Sequence, residues 1–382
     1  MNQLSLLMPY FSQLEKEDAF AEYSQDHIIC KAIKNDDAAI RNFCRYNGYN
    51  SLYPPNASSF IVNIINRLES MKRVFMHDPI ISFIKNQMSA GKNQYDEALF
   101  IQAFSEIELL AYLSQGYYNH ISDAIYEPLK GGNKQSQDSD KNPEAYIRYD
   151  NGVSLYIEIK TPRFPNLTFQ VNDNGIIQPN ILFDINHKQD YDQLLSQYKY
   201  IHRYNSLAKI KSFIYSAIHK FNYVPEENTY NILAINYTMS PWKGCILDEP
   251  LSLFFNPATG LLHKNSTLAN QYLFSANQDG NSFTRDELSK ISAFLIYFTT
   301  PMEFLFSDWR CAKGNCILLK NPYASAPNIS VLESIFNTKC SEIDPIINDF
   351  SLFYYALPNQ AILPLEIKTE LTEILLSHLT IL

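Results

Sequence analysis

The sequence predicts an α/β protein, and three stretches carry that expectation. Residues 143–160 alternate apolar and polar side chains in two short runs, 96–114 repeat apolar residues at helical spacing, and 230–238 form a compact apolar run. Period 2 argues for strands with one buried face, the 3.6-residue period for a helix, and the short apolar run for a buried core strand.

Taken in order, residues 1–92 predict a helical lobe. The segments 6–23, 36–46 and 58–75 have helical spacing, interrupted at Asn47-Gly48, Pro54-Pro55 and Asp78-Pro79. No catalytic motif falls there, so this lobe reads as a cap or a partner-binding region. In 96–114, Leu99, Ala103, Leu110 and Leu113 form a stripe with Glu106 inside it. A carboxylate within an apolar stripe needs a charged partner or a route to solvent, because an unpaired buried charge is costly. Glu108 lies two residues on, points to another side, and ranks second. The polar loop 130–142 follows, and its Asp138-Ser139-Asp140 matches a short pattern of nucleotide-sugar enzymes. A transferase would bind metal in that loop, but in low-complexity polar sequence such a match carries little weight.

The hairpin at 143–160 is the most informative stretch. Ala145, Ile147, Tyr149, Val153, Leu155, Ile157 and Ile159 share one face, and Glu144, Tyr146, Arg148, Ser154, Tyr156, Glu158 and Lys160 share the other. Asp150-Asn151-Gly152 supplies the turn, with Gly152 able to adopt the left-handed conformation. A three-residue loop pairs Tyr149 with Val153 and sets Glu144 opposite Glu158. A two-residue Asn-Gly turn would slip the register by one and bring polar side chains against the buried face. The alternation therefore selects the longer loop and gathers Glu144, Glu158 and Lys160 at one end of the hairpin. Two carboxylates can hold a hard divalent cation such as Mg²⁺, which keeps several waters and accepts phosphate oxygens. Such an ion acidifies a bound water and neutralises charge on a phosphorus centre, while a nearby lysine orients that water.

Pro143-Glu144, thirteen intervening residues, then Glu158-Ile159-Lys160 and Thr161-Pro162 resemble the active-site signature of the PD-(D/E)XK nuclease superfamily. The resemblance covers roughly residues 95–240 and implies a restriction-endonuclease-like mixed sheet flanked by helices. It implies Glu144 and Glu158 as ligands of Mg²⁺ or Mn²⁺, Lys160 as the catalytic lysine, and Glu106 on the preceding helix as a supporting acid. The first acid is Glu here, where the family usually has Asp. A second Glu366-Ile367-Lys368 lacks an upstream acidic strand, follows Pro364, and reads as a helix start.

Residues 163–187 read as an insertion with a second Asn-Gly turn, a hairpin shaping access to the site. The stretch 188–220 carries Lys188, Lys199, His202, Arg203, Lys209, Lys211 and Lys220 against Asp190 and Asp192, with Tyr191, Tyr198, Tyr200 and Tyr204 interleaved. A helical basic face here would contact nucleic acid through Lys199 and Arg203, or would simply be solvated. By the resemblance, Gln193 or Gln197 would fill the place of a glutamine some members keep in the helix after the catalytic strand. Residues 241–382 read as an α+β region of unassigned role, with a hairpin around 254–262 and helices near 284–299 and 365–381. The expected division is thus 1–92, 93–240 and 241–382.

Composition sets the outer bounds. A chain of 382 residues with 46% hydrophobic content buries a large core. No stretch approaches the ~20 apolar residues of a membrane span, the first residues lack a signal-peptide pattern, and six scattered cysteines form no CxxC pair. A cytoplasmic protein with reduced thiols is the expectation. The net charge of −9 opposes polyanion binding, since affinity for phosphates draws on Lys and Arg. The expected function is a Mg²⁺-dependent nuclease, most suited to DNA in restriction or phage defence, with a homodimer or a partner protein engaged through the terminal lobes. The alternative is a catalytically inactive nuclease-like scaffold. Removing one metal ligand is expected to abolish cleavage without unfolding the protein, because carboxylates crowded together repel each other.

Overall fold

The computed structural model describes Phe20 and residues 23–47, 55–116, 120–128, 142–161, 175–179, 201–203, 206–221, 227–236, 273–274, 282–297, 316–324, 328–337 and 353–356. The chain forms two compact units. The first comprises Met1–Arg163, Ala217–Ser240 and Leu288–Ser341, and the second Phe164–Ser216, Pro241–Glu287 and Glu342–Leu382.

In chain order the described elements begin with helices α1 (Ile28–Ile33), α2 (Asp37–Tyr46), α3 (Ala57–Phe75), α4 (His77–Asn86) and α5 (Glu97–Gly116). Strands β1 (Ile121–Tyr126), β2 (Ala145–Tyr149) and β3 (Ser154–Lys160) follow. Next come β4 (Gly175–Pro179), β5 (Ile201–Arg203), α6 (Ser206–Lys220) and β6 (Thr229–Asn236). The last are α7 (Arg285–Leu288), β7 (Ala293–Tyr297), β8 (Cys316–Lys320), α8 (Ile329–Phe336) and β9 (Phe353–Ala356).

Helix starts follow local chemistry. Asp36 accepts from the Ala39 amide to cap α2, and Asn56 and Ser59 form a reciprocal capping box on α3. The break expected at Asp78-Pro79 falls just before it, at Met76 between α3 and α4. Pro79 lies in the first turn of α4, where its missing N–H has no helical partner to lose. The segment 6–23 lies almost wholly outside the described residues.

The first unit is built on a six-stranded mixed sheet of order β1-β2-β3-β6-β7-β8. β1, β2 and β3 pair antiparallel, β3–β6 and β6–β7 parallel, and β7–β8 antiparallel. Every residue of β7 is buried, as are all of β6 after Thr229. Central parallel strands read as continuous apolar runs because both faces are covered. This accounts for one correction: 293–297, AFLIY, is a core strand where a helix through 284–299 was expected, and only Arg285–Leu288 is helical. Phe60, Phe75, Phe83, Phe100 and Phe104 from the helices share one apolar cluster with Ile147, Leu155, Ile157, Ile232 and Leu295 from the sheet. The N-terminal helices therefore pack on the sheet's own core, and the sheet itself takes β7 and β8 from beyond residue 240.

In the second unit, β4 lies between β5, to which it runs parallel, and β9, to which it runs antiparallel. Residues 175–179 thus have both edges paired to distant segments, not to a neighbour across the Asn174-Gly175 turn as the expected insertion hairpin required. No disulfide joins Cys30, Cys44 or Cys316. Among the described residues no helix is long and apolar enough to cross a membrane.

Candidate active site

The β2–β3 hairpin has the register that the alternation selects. Ala145 pairs with Ile157, Tyr146 with Tyr156, Ile147 with Leu155 and Arg148 with Ser154. The Tyr149 amide donates to the Val153 carbonyl at 2.8 Å, and the Gly152 amide to Tyr149 at 2.9 Å, closing the three-residue loop. Gly152 takes φ +83° with nothing near its missing Cβ. Gly152→Ala meets no clash and pays only for the left-handed backbone. The expected loss is about 1–2 kcal/mol, read as a lowered denaturation midpoint. A midpoint equal to wild type would refute this account of the turn.

The register carries Glu144, just before β2, to the level of Glu158 on β3. Glu158 is fully buried although it belongs to the polar face. Lys160 Nζ lies 2.5 Å from Glu158 Oε1. A second ammonium, Lys220 at the end of α6, lies 2.8 Å from the same oxygen and 3.3 Å from Glu144 Oε1. Glu158 Oε2 is buried without a hydrogen-bond partner. Lys220 is the residue that sequence reasoning misplaced. It was counted in a basic run for nucleic acid, and a lone lysine at a helix end gave no sign that it turns inward.

Glu106 comes to this cluster from α5. Tyr126 Oη, at the end of β1, donates to Glu106 Oε2 at 3.3 Å. Burial holds the Glu106 carboxyl well above its ordinary value, reinforced by the charges of Glu144 and Glu158 and partly offset by Lys160. Glu106 is therefore harder to ionise than an ordinary carboxyl. Glu158 is also pushed up, by burial and then by Glu144, against the pull of Lys160 and Lys220. Burial alone would lower Lys220, but Glu144 and Glu158 outweigh it and hold the ammonium above the ordinary lysine range. The two partners thus disagree about their own pair. The lysine gains from it, while the carboxylate suffers because it is buried beside a second carboxylate. Excess negative potential is the property these groups share.

Glu127 adds to that potential. Its amide donates to the Glu144 carbonyl at 2.9 Å, extending the β1–β2 ladder by one residue at a left-handed φ of 47°. Burial and the Glu144 charge push its carboxyl up. The sequence reading missed it because 121–126, ISDAIY, has polar Ser122 and Asp123 where clear alternation was needed. Glu108 faces elsewhere: Asn236 Nδ2 donates to it at 3.3 Å and to Ser105 Oγ at 2.7 Å, in the buried layer against β6.

The remaining predicted contacts fare differently. Gln193, Gln197 and Lys199, and residues 130–141 of the polar loop with Asp138 and Asp140, lie outside the described residues. Arg203 ends strand β5 instead of lying on a helix after β3. Lys211 is buried, and burial pulls its ammonium down, so it is not a surface contact for phosphate.

Among the described residues, no group of three or more His, Cys, Asp and Glu side chains is arranged to hold a metal ion. The pair Glu144 and Glu158 is nonetheless suited to a hard divalent cation. Carboxylate oxygens are the ligands such an ion prefers, Mg²⁺ commonly takes one or two of them and keeps its waters, and Glu158 Oε2 is a buried acceptor without a donor. Comparison with protein-family models, with curated proteins and with solved structures found no match for the chain.

Proposed function

We propose that the first unit is a metal-dependent phosphodiesterase of the PD-(D/E)XK type, acting on DNA in restriction or phage defence. The observation that carries this reading is the hairpin register, which levels Glu144 with Glu158 and sets Lys160 two residues further along the same face. Glu144 and Glu158 would hold Mg²⁺ or Mn²⁺, which supplies an acidified water and a counter-charge for phosphate. Lys160 orients the attacking water and offsets negative charge on the phosphate. Glu106, reaching the cluster from α5 and held by Tyr126, supports the site as a third acid. The mixed sheet with parallel β3, β6 and β7 and with α6 between β3 and β6 is consistent with a restriction-endonuclease-like core.

The test is incubation of the purified chain and of Lys160→Ala with plasmid and single-stranded DNA, in Mg²⁺, in Mn²⁺ and in EDTA. Wild type should cleave only with metal. The variant should fold, since Glu158 keeps Lys220, and lose roughly 10²–10⁴-fold in rate. Cleavage that persists in EDTA, or that Lys160→Ala leaves intact, would overturn the reading.

One observation favours a second reading, an inactive nuclease-like binding module. Lys220 bridges both carboxylates with no metal required. In that case Mn²⁺ would give no heat with wild type in a calorimetric titration.

A further inference from the structure

We propose that Lys220 is the resident counter-ion of the Glu144–Glu158 pair and that a divalent cation binds there by displacing it. This rests on the reading of those two carboxylates as metal ligands. The ammonium lies 3.3 Å from Glu144 Oε1 and 2.8 Å from Glu158 Oε1, so it already does electrostatically what a bridging metal would do. Glu158 Oε1 carries Lys160 as well, at 2.5 Å, while Oε2 of the same carboxylate is buried without a partner. Neither oxygen makes a well-aligned hydrogen bond, and both ammoniums crowd Oε1.

Charge decides against joint occupancy. Glu144 and Glu158 already face two ammoniums, Lys160 and Lys220. A divalent ion added between these carboxylates would also stand beside both ammoniums, and like charges repel strongly in a buried space where screening is weak. One cation has to leave, and Lys220 is the one able to. Lys160 sits on a strand paired on both sides, by β2 and β6. Lys220 is the last residue of its helix, and its ammonium rides on a flexible four-carbon stem. Its backbone need not move, because the next residue, Phe221, is buried and its amide donates to the Ala217 carbonyl at 2.8 Å.

The experiment is calorimetric titration of Mn²⁺ into the full-length chain, Lys220→Met and Lys220→Arg, with thermal unfolding of each in EDTA and in Mn²⁺. Lys220→Met should bind Mn²⁺ at least roughly tenfold more tightly than wild type, unfold at lower temperature in EDTA, and regain the difference with metal. Lys220→Arg keeps the charge and the fold. Its guanidinium can engage both carboxylates at once, so it should bind Mn²⁺ more weakly than wild type. That variant decides the matter if Lys220→Met fails to fold. Equal Mn²⁺ affinity in wild type and Lys220→Arg would overturn the competition while leaving the metal site in place. Absence of Mn²⁺ binding in all three would overturn the metal reading itself, and the competition with it.

Discussion

Replacing Glu158 by alanine is expected to abolish divalent-metal binding and cleavage and to lower stability by roughly 3 kcal/mol at once. The carboxylate is fully buried and touches two ammoniums. Without it Lys160 loses its ion-pair partner and Lys220 keeps only Glu144. Relief of the repulsion felt by Glu106 and Glu144 works in the other direction, but removing one member of a buried ion pair ordinarily costs more than such relief returns. The expectation from sequence is that a ligand can be removed without unfolding the protein, and the ion pairs add a cost in stability to it. That argument counted only repelling carboxylates and had no place for Lys220. Glu158→Gln keeps the volume and can still accept from an ammonium, so it should lose metal binding with a smaller loss of stability. Denaturant unfolding of both variants beside Mn²⁺ calorimetry makes the check, and an unchanged midpoint for Glu158→Ala would sink the argument.

The second large effect is acid sensitivity set by His27. Its ring is fully buried against Tyr23, Tyr95 and Phe100, and caps α1. Nδ1 accepts from the Ile29 amide at 3.1 Å and Nε2 donates to the Met88 carbonyl at 2.7 Å. One ring nitrogen must therefore be an acceptor, and a second proton would turn it toward another N–H. Burial pulls His27 down from 6.5 to about 4, against the smaller upward effect of the Met88 carbonyl. The unfolded chain takes up this proton below pH 6.5 and the folded chain does not until about pH 4. Stability from this group is thus fully present above pH 6.5 and is lost as pH falls through that window, by about 3 kcal/mol. Glu106 and Glu158, whose carboxyls are raised, work in the opposite sense. They favour the fold below their ordinary carboxyl value and lose that contribution as pH rises. Comparing the thermal midpoint of wild type with His27→Gln from pH 8 to pH 4 isolates the histidine. The variant should be the less stable at pH 8 and should flatten between pH 6.5 and 4. Parallel profiles would refute the assignment.

What was legible in the sequence follows physical lines. Helices with continuous apolar stripes, such as 57–75 and 97–116, and strands with strict alternation, such as β2 and β3, declare themselves because local spacing matches the face they bury. The hairpin end of the site was legible for the same reason, since register follows from alternation and loop length. β1 and β7 were not. The first alternates too poorly, and the second is a short run buried on both faces, whose pattern a buried helix shares. Lys220 and His27 were invisible because their partners lie far along the chain. The ammonium finds Glu144 across 76 positions and the imidazole finds Met88 across 61. No local spacing encodes such meetings.

The order of strands across the sheet has a consequence for how the chain matures on the ribosome. β3 emerges early but waits for β6, and β6 in turn waits for β7 and β8, with residues of the second unit synthesised in between. Until those late segments arrive, an apolar strand meant for the centre of a sheet stands at its margin, with its backbone donors and acceptors open to any passing chain. The Glu144 and Glu158 hairpin can close locally, but the platform that holds Lys220 against it is finished late. Nascent chains are therefore most exposed to mispairing during this interval, when a chaperone covering the β6 margin would have its greatest effect.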